Sequence, residues 1–205
     1  MKICGILLAG GQSRRMGGRE KSLMSLQGVT PIEWVAKRLH PQVNEMAINA
    51  NGDAARFDFL GLPVLPDTVD GFVGPLAGVL SGMRWATKTH QADYIVTAAA
   101  DTPFIPSTLV ERLTADISSD HRIAMAYSNG RIHPVAALWP CDLADDLEYF
   151  LTVENERKII FFAKRHGLVE TEFKLIDGHA GHDPFFNINT PDDMAIADEI
   201  AAGLK

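Results

Sequence analysis

The chain has 205 residues, of which 46% are hydrophobic, and its formal net charge is −7. This length and a mean hydropathy near zero predict one soluble globular domain over residues 1–205, with a core of its own. The acidic balance argues against general binding of nucleic acid, and no apolar run is long enough to cross a membrane. Cys4 and Cys141 lack the spacing of a metal site, so we expect reduced, buried thiols in a cytoplasmic protein.

The first predicted element is a buried strand that leads into a glycine-rich loop. Ile3–Ala9 is almost entirely apolar, as is typical of a strand covered on both faces. Gly10 and Gly11 end this strand, and the loop continues with basic residues to Lys21. Glycines let backbone N–H groups approach an anion closely, and cationic side chains supply charge. The stretch therefore predicts a site for a nucleotide polyphosphate.

The spacing within this loop excludes two common phosphate motifs. It lacks the Gly-Lys-Ser/Thr ending of a P-loop and the G-x-G-x-x-G spacing of a dinucleotide site. We expect Arg15 and Lys21 to neutralise phosphate oxygens and to act in catalysis. Arg14 and Arg19 are alternative cations, or solvated side chains, and the sequence does not decide between these roles.

The rest of the first half alternates strands with helices. The predicted segments are a helix from Pro31, strands at Met46–Ile48 and Val64-Leu65, a helix over Leu76–Met83, a strand at Tyr94–Ala98 and a helix from Pro106. This alternation predicts βαβ units, and therefore an α/β protein with a three-layer Rossmann-like fold and a mostly parallel central sheet.

The second half is less regular. Two strands, Ile123–Tyr127 and Val135–Trp139, are joined through Asn129-Gly130, a pair typical of a hairpin turn, so we expect an antiparallel excursion here. Helices are predicted at Asp142–Phe150, Lys158–Arg165 and Pro191–Ala202.

Polar residues follow several predicted strands, at the sheet edge where open α/β sheets bind ligands. Asn49, Asp67 and Asp101 are placed there together with the glycine-rich loop. Asp101 follows a buried strand and is the predicted Mg²⁺ ligand, because Mg²⁺ prefers carboxylate oxygens. The alternative is a turn carboxylate that accepts hydrogen bonds from local N–H groups.

Three further groups of polar residues leave alternatives open. Asn187 and Asn189 flank one isoleucine, so in an extended segment both amides would face the same side, although capping by Thr190 explains part of this pattern. His179–Asp183 offers histidines for zinc, but without further ligands we expect a solvated loop. His133-Pro134 is either a turn or the rim of an acceptor site.

Taken together, these motifs resemble the molybdenum cofactor guanylyltransferase family over nearly the whole chain. The residues that carry the resemblance are Leu8–Lys21, Asn49–Asn51, Pro66-Asp67, Gly74–Gly78, Asp101–Pro103, His133-Pro134 and Asn187–Pro191. The glycine-rich loop is shared by many nucleotidyltransferases, whereas its combination with the later segments is much more specific.

The resemblance implies that the protein transfers GMP from GTP to the terminal phosphate of molybdopterin and releases pyrophosphate, with Mg²⁺ as cofactor. The implied nucleotide-binding residues are Leu8, Ala9, Gly10, Gly11, Lys21, Asn49, Asp67, Gly74, Gly78 and Asp101. Asp101 is also the implied metal ligand. The implied acceptor-binding residues are Arg157, Lys158, Asn187 and Asn189. Proteins that insert the cofactor and molybdoenzymes are the implied downstream partners.

Two other kinds of function remain open from the sequence. The chain could be a cytidylyltransferase or another nucleotidyltransferase that acts on a phosphorylated acceptor. It could also be a non-catalytic protein that binds a nucleotide or delivers the cofactor, although the presence of both Lys21 and Asp101 favours an enzyme.

Overall fold

The computed structural model describes residues 1–10, 21–69, 71, 74–120, 122–176 and 182–204. Within these ranges the chain forms one sheet, whose strands are β1 (Ile3–Leu8), β2 (Glu45–Asn49), β3 (Val64–Leu65), β4 (Tyr94–Ala99), β5 (Ile123–Ser128), β6 (Arg131–Pro140) and β7 (Leu168–Glu172). Their order is β3-β2-β1-β4-β6-β5-β7. Every neighbouring pair is parallel except those made by β6, which is antiparallel to both β4 and β5. The mostly parallel sheet and the antiparallel excursion are thus confirmed.

Helices cover both faces of the sheet. They are α1 (Pro31–Leu39), α2 (Pro75–His90), α3 (Leu109–Asp116), α4 (Ala144–Thr152), α5 (Ile159–Arg165) and α6 (Pro191–Gly203). Side chains of α2, α4 and α5 share one buried cluster, and those of α1 and α3 share the cluster on the opposite face. A third, smaller cluster joins α6 to Leu26 and Phe104. The result is the predicted three-layer arrangement.

Local sequence explains how the elements begin and how closely they pack. Thr30 begins α1 with a capping box, in which its hydroxyl accepts from Glu33 N and the Glu33 carboxylate accepts from Thr30 N at 2.8 Å. Strand β1 is buried on both faces, since Ile6 packs in one cluster and Leu7 in the other. No described helix is both long enough and apolar enough to cross a membrane.

The structure differs from the predicted elements in several places, among them β6, which begins at Arg131 rather than Val135. Helix α3 begins at Leu109 rather than Pro106, because the intervening residues form a turn closed by Leu109 N and Pro106 O at 3.1 Å. A run of 3-10 turns over Ala54–Leu60 was not predicted. Strand β7 was also not predicted. Only Thr171 of its five residues is buried, and an edge strand of this kind has no alternation of apolar and polar residues.

Both cysteines are buried and free, as predicted. Burial raises the pKa of the Cys4 thiol to about 11 and that of Cys141 to about 12. At neutral pH both groups are therefore protonated thiols that act as small core side chains.

Candidate functional site

The candidate site lies at the carboxyl ends of the parallel strands, at the point where the strand order reverses. From β1 the sheet extends to β2 and β3 on one side and to β4 on the other. The ladder continues just past the strands, with Ala9 N donating to Asn49 O at 2.9 Å and Ala100 N to Leu8 O at 3.0 Å. Ala9, Gly10 and Asp101 therefore leave adjacent strands at a topological switch point, which is where open α/β sheets bind ligands.

Asn49 and Asp67 are hydrogen-bonded to each other at this edge. The Asn49 side-chain nitrogen donates to Leu65 O at 3.1 Å and to Asp67 Oδ1 at 2.9 Å. Asn51 donates to the other Asp67 oxygen at 2.7 Å, and Asp67 N donates to Asn51 Oδ1 at 2.9 Å. Both amide hydrogens of Asn49 are thus used, which leaves its Oδ1 as a hydrogen-bond acceptor beside Gly10.

The two predicted glycines of the α2 region differ in their surroundings. Gly74 is the exposed residue that precedes α2, and it has open space around it. Gly78 lies one turn further along and is buried against the strand ends. A Cβ at Gly78 would overlap the side-chain oxygen of Asn49, Oδ1, and would lie 2.7 Å from Asn49 Cγ and 2.8 Å from Leu8 Cδ2. Gly78 therefore allows the helix to approach Asn49, and its role at the site is steric.

Asp101 lies just beyond β4 and is partly exposed. Its backbone carbonyl accepts from Ile188 N at 3.0 Å, so the segment that carries Asn187 and Asn189 runs directly beside it. The described residues hold no cluster of three or more His, Cys, Asp or Glu side chains that could enclose a metal ion. A single carboxylate nevertheless fits Mg²⁺, which proteins often bind through one or two carboxylates, with substrate phosphates and water completing the shell.

A cavity of about 280 Å³ opens next to Asp101, between the end of β4 and the start of β6. It is created by an irregularity in β6. Met125 pairs with Ala137, but Ala126 pairs with His133, so three residues of β6 bulge out of the ladder. These three, Pro134–Ala136, line the cavity.

The bulge is compatible with the sequence and is held by a buried side chain. Pro134 cannot donate a ladder hydrogen bond, and proline within a sheet is found at edges and bulges. The buried Thr97 hydroxyl donates to Val135 O at 2.8 Å and accepts from the indole N–H of Trp139 at 3.0 Å. These bonds fix the bulged carbonyl, and with it the cavity wall.

Asn187 and Asn189, both predicted to bind the acceptor, line this cavity. Asn187 Oδ1 is buried and has no hydrogen-bond partner in the described structure. Asn189 is exposed, and its backbone N donates to Asp193 Oδ2 at 2.8 Å at the start of α6. A buried acceptor without a partner is costly, so the Asn187 amide is suited to a ligand that carries a donor.

A buried polar cluster behind the cavity was not predicted from the sequence. Ser128, His133 and Asp183 are exposed by only 1%, 8% and 7%. Ser128 Oγ donates to Asp183 Oδ1 at 2.7 Å and lies 2.8 Å from His133 Nε2. Because the only hydroxyl hydrogen is given to the carboxylate, the imidazole must donate to Ser128 through Nε2–H. Burial lowers the pKa of His133, although Asp183 partly offsets this effect, so the ring is neutral at neutral pH.

The expectation of a solvated loop is therefore wrong for Asp183. Its carboxylate also accepts from Phe185 N at 2.8 Å, and the Phe185 ring stacks on His133 with centroids 4.6 Å apart. Of the rest of that predicted loop, residues 179–181 lie outside the described part of the chain, whereas the carbonyl of His182 accepts from Ile176 N at 2.8 Å. His133-Pro134, which the sequence left open between a turn and an acceptor rim, lies in β6 and lines the cavity.

Arg157 and Lys158, also predicted to bind the acceptor, are not among the residues that line the cavity. Both are exposed in the segment before α5. Helix α5 leads back into β7, which is parallel to β5. The start of α5 therefore points to the carboxyl edge of the sheet, the same edge as Ser128.

The predictions for Gly11 and Arg15, and for the side chain of Lys21, lie outside the described residues. Lys21 begins a short 3-10 turn, Lys21–Leu23, that leads toward α1. Among the predicted nucleotide-binding residues that are described, the structure brings Leu8, Ala9, Gly10, Asn49, Asp67, Gly78 and Asp101 to one edge of the sheet.

Comparison with known proteins gives a consistent result. The chain matches the model of the MobA-like NTP transferase domain over residues 5–168. A protein of Mesorhizobium japonicum named molybdenum cofactor guanylyltransferase is 52% identical over 197 residues, which is 95% of this chain and 94% of that protein. The solved structure of molybdopterin-guanine dinucleotide biosynthesis protein A from Archaeoglobus fulgidus has a TM-score of 0.71 and 27% identity, covering 99% of this chain and 100% of that one.

Proposed function

The chain belongs to the family of MobA-like NTP transferase domains, and from this membership and the site geometry we propose that it transfers GMP from GTP to the terminal phosphate of molybdopterin. The products are pyrophosphate and the guanine dinucleotide form of the cofactor. The relative named molybdenum cofactor guanylyltransferase that covers 95% of the chain at 52% identity supports this choice of substrates.

The observation that carries the proposal is the hydrogen bond between Ile188 N and Asp101 O, 3.0 Å long. It joins the segment proposed to bind the acceptor to the residue at the nucleotide edge. A transferase must bring two substrates into reacting distance, and much of its rate enhancement comes from that alignment. A protein that only stored a nucleotide would not need the acceptor cavity at this point.

We assign the nucleotide to the edge formed by Leu8–Gly10, Asn49, Asp67 and Gly78. The side-chain oxygen of Asn49, Oδ1, is a hydrogen-bond acceptor, because both amide hydrogens are used elsewhere. It is therefore suited to N–H or hydroxyl groups of the nucleotide rather than to its phosphates. Guanine carries adjacent N1–H and N2–H₂ donors, a pattern that cytosine lacks. Lys21, Arg15 and Gly11 complete the assignment as phosphate-binding residues, as the glycine-rich sequence predicts.

The chemistry requires little acid–base help from the protein. An oxygen of the acceptor's terminal phosphate forms a bond to the α-phosphorus of GTP while the bond to the bridging α,β-oxygen breaks, and that electron pair leaves with pyrophosphate. A phosphate nucleophile is already anionic at neutral pH, so no general base is needed. The protein aligns the two substrates and neutralises charge, as is usual in phosphoryl-type transfers.

We assign Asp101 as the protein ligand of Mg²⁺, with substrate phosphates and water as the other ligands. When bound there, the ion neutralises developing charge on the phosphate oxygens. The backbone of Asp101 is held at the end of β4 by the hydrogen bond that its carbonyl accepts from Ile188 N.

The experiment supplies purified protein with molybdopterin and Mg²⁺, and offers GTP or CTP in separate reactions while pyrophosphate release is followed. We expect a strong preference for GTP, because an unpaired buried acceptor costs about 1–3 kcal/mol, which is roughly tenfold or more for each group. Equal turnover with CTP would remove the guanylyl assignment and leave the broader class. Tight binding of GTP without any pyrophosphate would instead indicate a binding or delivery protein.

We also propose that the reaction takes place in the cytoplasm. The two free, buried thiols are typical of a protein kept in a reducing compartment. The product would then pass to cofactor-insertion proteins and molybdoenzymes in that compartment.

A further inference from the structure

We propose that Arg131 binds the phosphate of the acceptor at the cavity, and that Asp183, with Ser128 and His133, holds the arginine in position. The inference rests on the proposed function, because it assigns the cavity to the acceptor. It adds a residue that the sequence did not indicate, since Arg157 and Lys158 were the cations expected there.

The cavity carries one charged side chain in its described wall. Of the described residues that line it, Arg131 alone carries a charge, since the lowered pKa of His133 keeps that ring neutral. The counterion, Asp183, does not line the cavity and is 7% exposed behind it. The cavity thus presents a cation to a ligand while the matching anion is buried in the wall.

The Arg131 guanidinium is held by Asp183 but remains accessible. One of its nitrogens, Nη2, contacts Asp183 Oδ2 at 3.3 Å, and the side chain is 60% exposed. An arginine has five N–H donors in a planar fork that matches phosphate oxygens. A single long contact directs the fork and leaves most of its donors accessible to a phosphate group.

Asp183 is itself held from several sides. It accepts from Ser128 Oγ at 2.7 Å and from Phe185 N at 2.8 Å, and His133 Nε2 lies 3.5 Å from its second oxygen. These partners come from β5, β6 and the segment before Asn187. Asp183 is therefore a positioning residue that fixes Arg131 relative to the asparagines.

The test measures binding of molybdopterin without GTP, and compares it with binding of the dephosphorylated pterin obtained by phosphatase treatment. Arg131→Gln should weaken binding of the phosphorylated form by roughly tenfold or more, because hydrogen bonds to charged groups are the strong ones. Binding of the dephosphorylated form should be unchanged. Arg131→Lys should restore only part of the affinity, since an ammonium group lacks the planar fork.

A matched control is Arg84→Gln, which removes a partly exposed arginine of α2 that is paired with Glu148 at 2.6 Å and Asp145 at 2.7 Å on α4. It should leave both affinities unchanged. Equal loss for the two pterin forms in Arg131→Gln would overturn the assignment to phosphate, and so would no loss for either.

The role of Asp183 is tested by a double-mutant cycle. Asp183→Asn keeps the side-chain shape, and should weaken binding of the phosphorylated acceptor alone. In the Arg131→Gln background the same change should have no further effect, because the two residues act on one contact. Additive losses would show that Asp183 has only a structural role.

These outcomes are separate from those of the proposed transfer. Arg131-dependent binding of molybdopterin without pyrophosphate release would contradict the transfer and leave the phosphate contact standing. Normal turnover that Arg131→Gln does not alter would support the transfer and contradict the phosphate contact of Arg131. A wild-type protein that binds neither form of the pterin would overturn both.

Discussion

The two sides of the site are built in different ways. The nucleotide half, as we assign it, consists of the parallel strands β3, β2, β1 and β4 with α2, and its polar residues lie at or just past the ends of strands. The acceptor half, likewise our assignment, consists of β6, β5 and β7 with residues 182–190, and its polar residues come from distant parts of the chain. Ser128 and Asp183, which are hydrogen-bonded, are 55 positions apart.

The difference teaches that strand topology brings the residues of the first half together at one edge, whereas side-chain contacts bring together those of the second. Parallel strands deliver their carboxyl ends to one edge whatever the intervening residues are. The acceptor half depends on a bulge, a proline and a buried hydrogen-bonded cluster, each of which can be changed by one substitution. Asp101 belongs to the nucleotide half but contacts the acceptor half through Ile188.

The largest effect is expected where the two halves meet. Asp101→Asn keeps the size of the side chain but removes the charge proposed to hold Mg²⁺. Activity should fall on the order of 100-fold or more, since losing such a charge costs several kcal/mol and each 1.36 kcal/mol is about tenfold in rate. The melting temperature without metal should change little. Pyrophosphate release and thermal unfolding with and without Mg²⁺ and GTP measure the two quantities.

A control for this substitution lies at the opposite end of the same strand. The Asp93 carboxylate accepts from Lys2 N at 2.7 Å, just before β4 begins. Asp93→Asn should leave turnover unchanged. If Asp101→Asn turns over within a few-fold of the wild type and is still stabilised by Mg²⁺, Asp101 is only a turn residue.

A smaller effect is expected from a methyl group added inside the nucleotide half. Gly78→Ala should displace Asn49, and weaken GTP binding by roughly tenfold because one oriented acceptor is lost. It should also destabilise the fold by about 1–3 kcal/mol, as overpacking usually does. Calorimetric titration of GTP and denaturant unfolding measure these effects.

Gly82 on the same helix separates the two consequences. A Cβ there would lie 2.7 Å from Ile6 Cγ1 but far from Asn49 along the helix. Gly82→Ala should therefore destabilise the fold by a similar amount without a change in GTP affinity. Equal losses of affinity in the two variants would mean that the nucleotide half responds to packing in general and not to the Asn49 contact.

The smallest effect concerns the acceptor half and pH. Burial lowers the pKa of His133 in the folded protein below its ordinary value of 6.5. The unfolded chain therefore takes up a proton that the folded chain does not, and the free energy of unfolding should fall as the pH drops from about 6.5 toward the folded pKa. Asp183 and the Ser128 carbonyl act against this shift, while Arg131 adds to it.

The measurement is denaturant unfolding at a series of pH values between 5 and 8 for the wild type and His133→Gln. We expect the decline below pH 6.5 to be smaller in the variant. His166, whose pKa burial also lowers, should account for part of the remaining slope. Identical pH profiles for wild type and His133→Gln would show that His133 contributes nothing to the decline.

Much of the nucleotide half could be predicted because its signals are local. The apolar run of β1 and the position of Asp101 after β4 are each visible within a few residues. The contact between Gly78 and Asn49 was not visible in the same way, since it depends on how closely α2 packs. The family resemblance implied that Gly78 binds the nucleotide, and the structure shows that a Cβ at this position would overlap the Asn49 side chain.

The acceptor half could be predicted only in part. The turn at Asn129-Gly130 is local, and both residues have the positive φ values, 49° and 77°, that this pair favours. The burial of Asp183 could not be foreseen, because it depends on partners in β5 and β6 that no local spacing indicates. The signal in the sequence for this burial was Asp183 followed by one proline and two phenylalanines, because this order places a charge next to an apolar pair.

The bulge in β6 has a consequence for how such a site can diversify. Ala137–Pro140 pair with β4, whereas Arg131–Ala136, which include the three bulged residues, line the cavity. A hairpin lengthened by two residues in each strand would keep the alternation of its side chains and extend the wall by roughly 7 Å, while the paired portion keeps its register. Acceptors of different length could therefore be accommodated in descendants of this chain by insertions at one turn, with the nucleotide edge inherited unchanged.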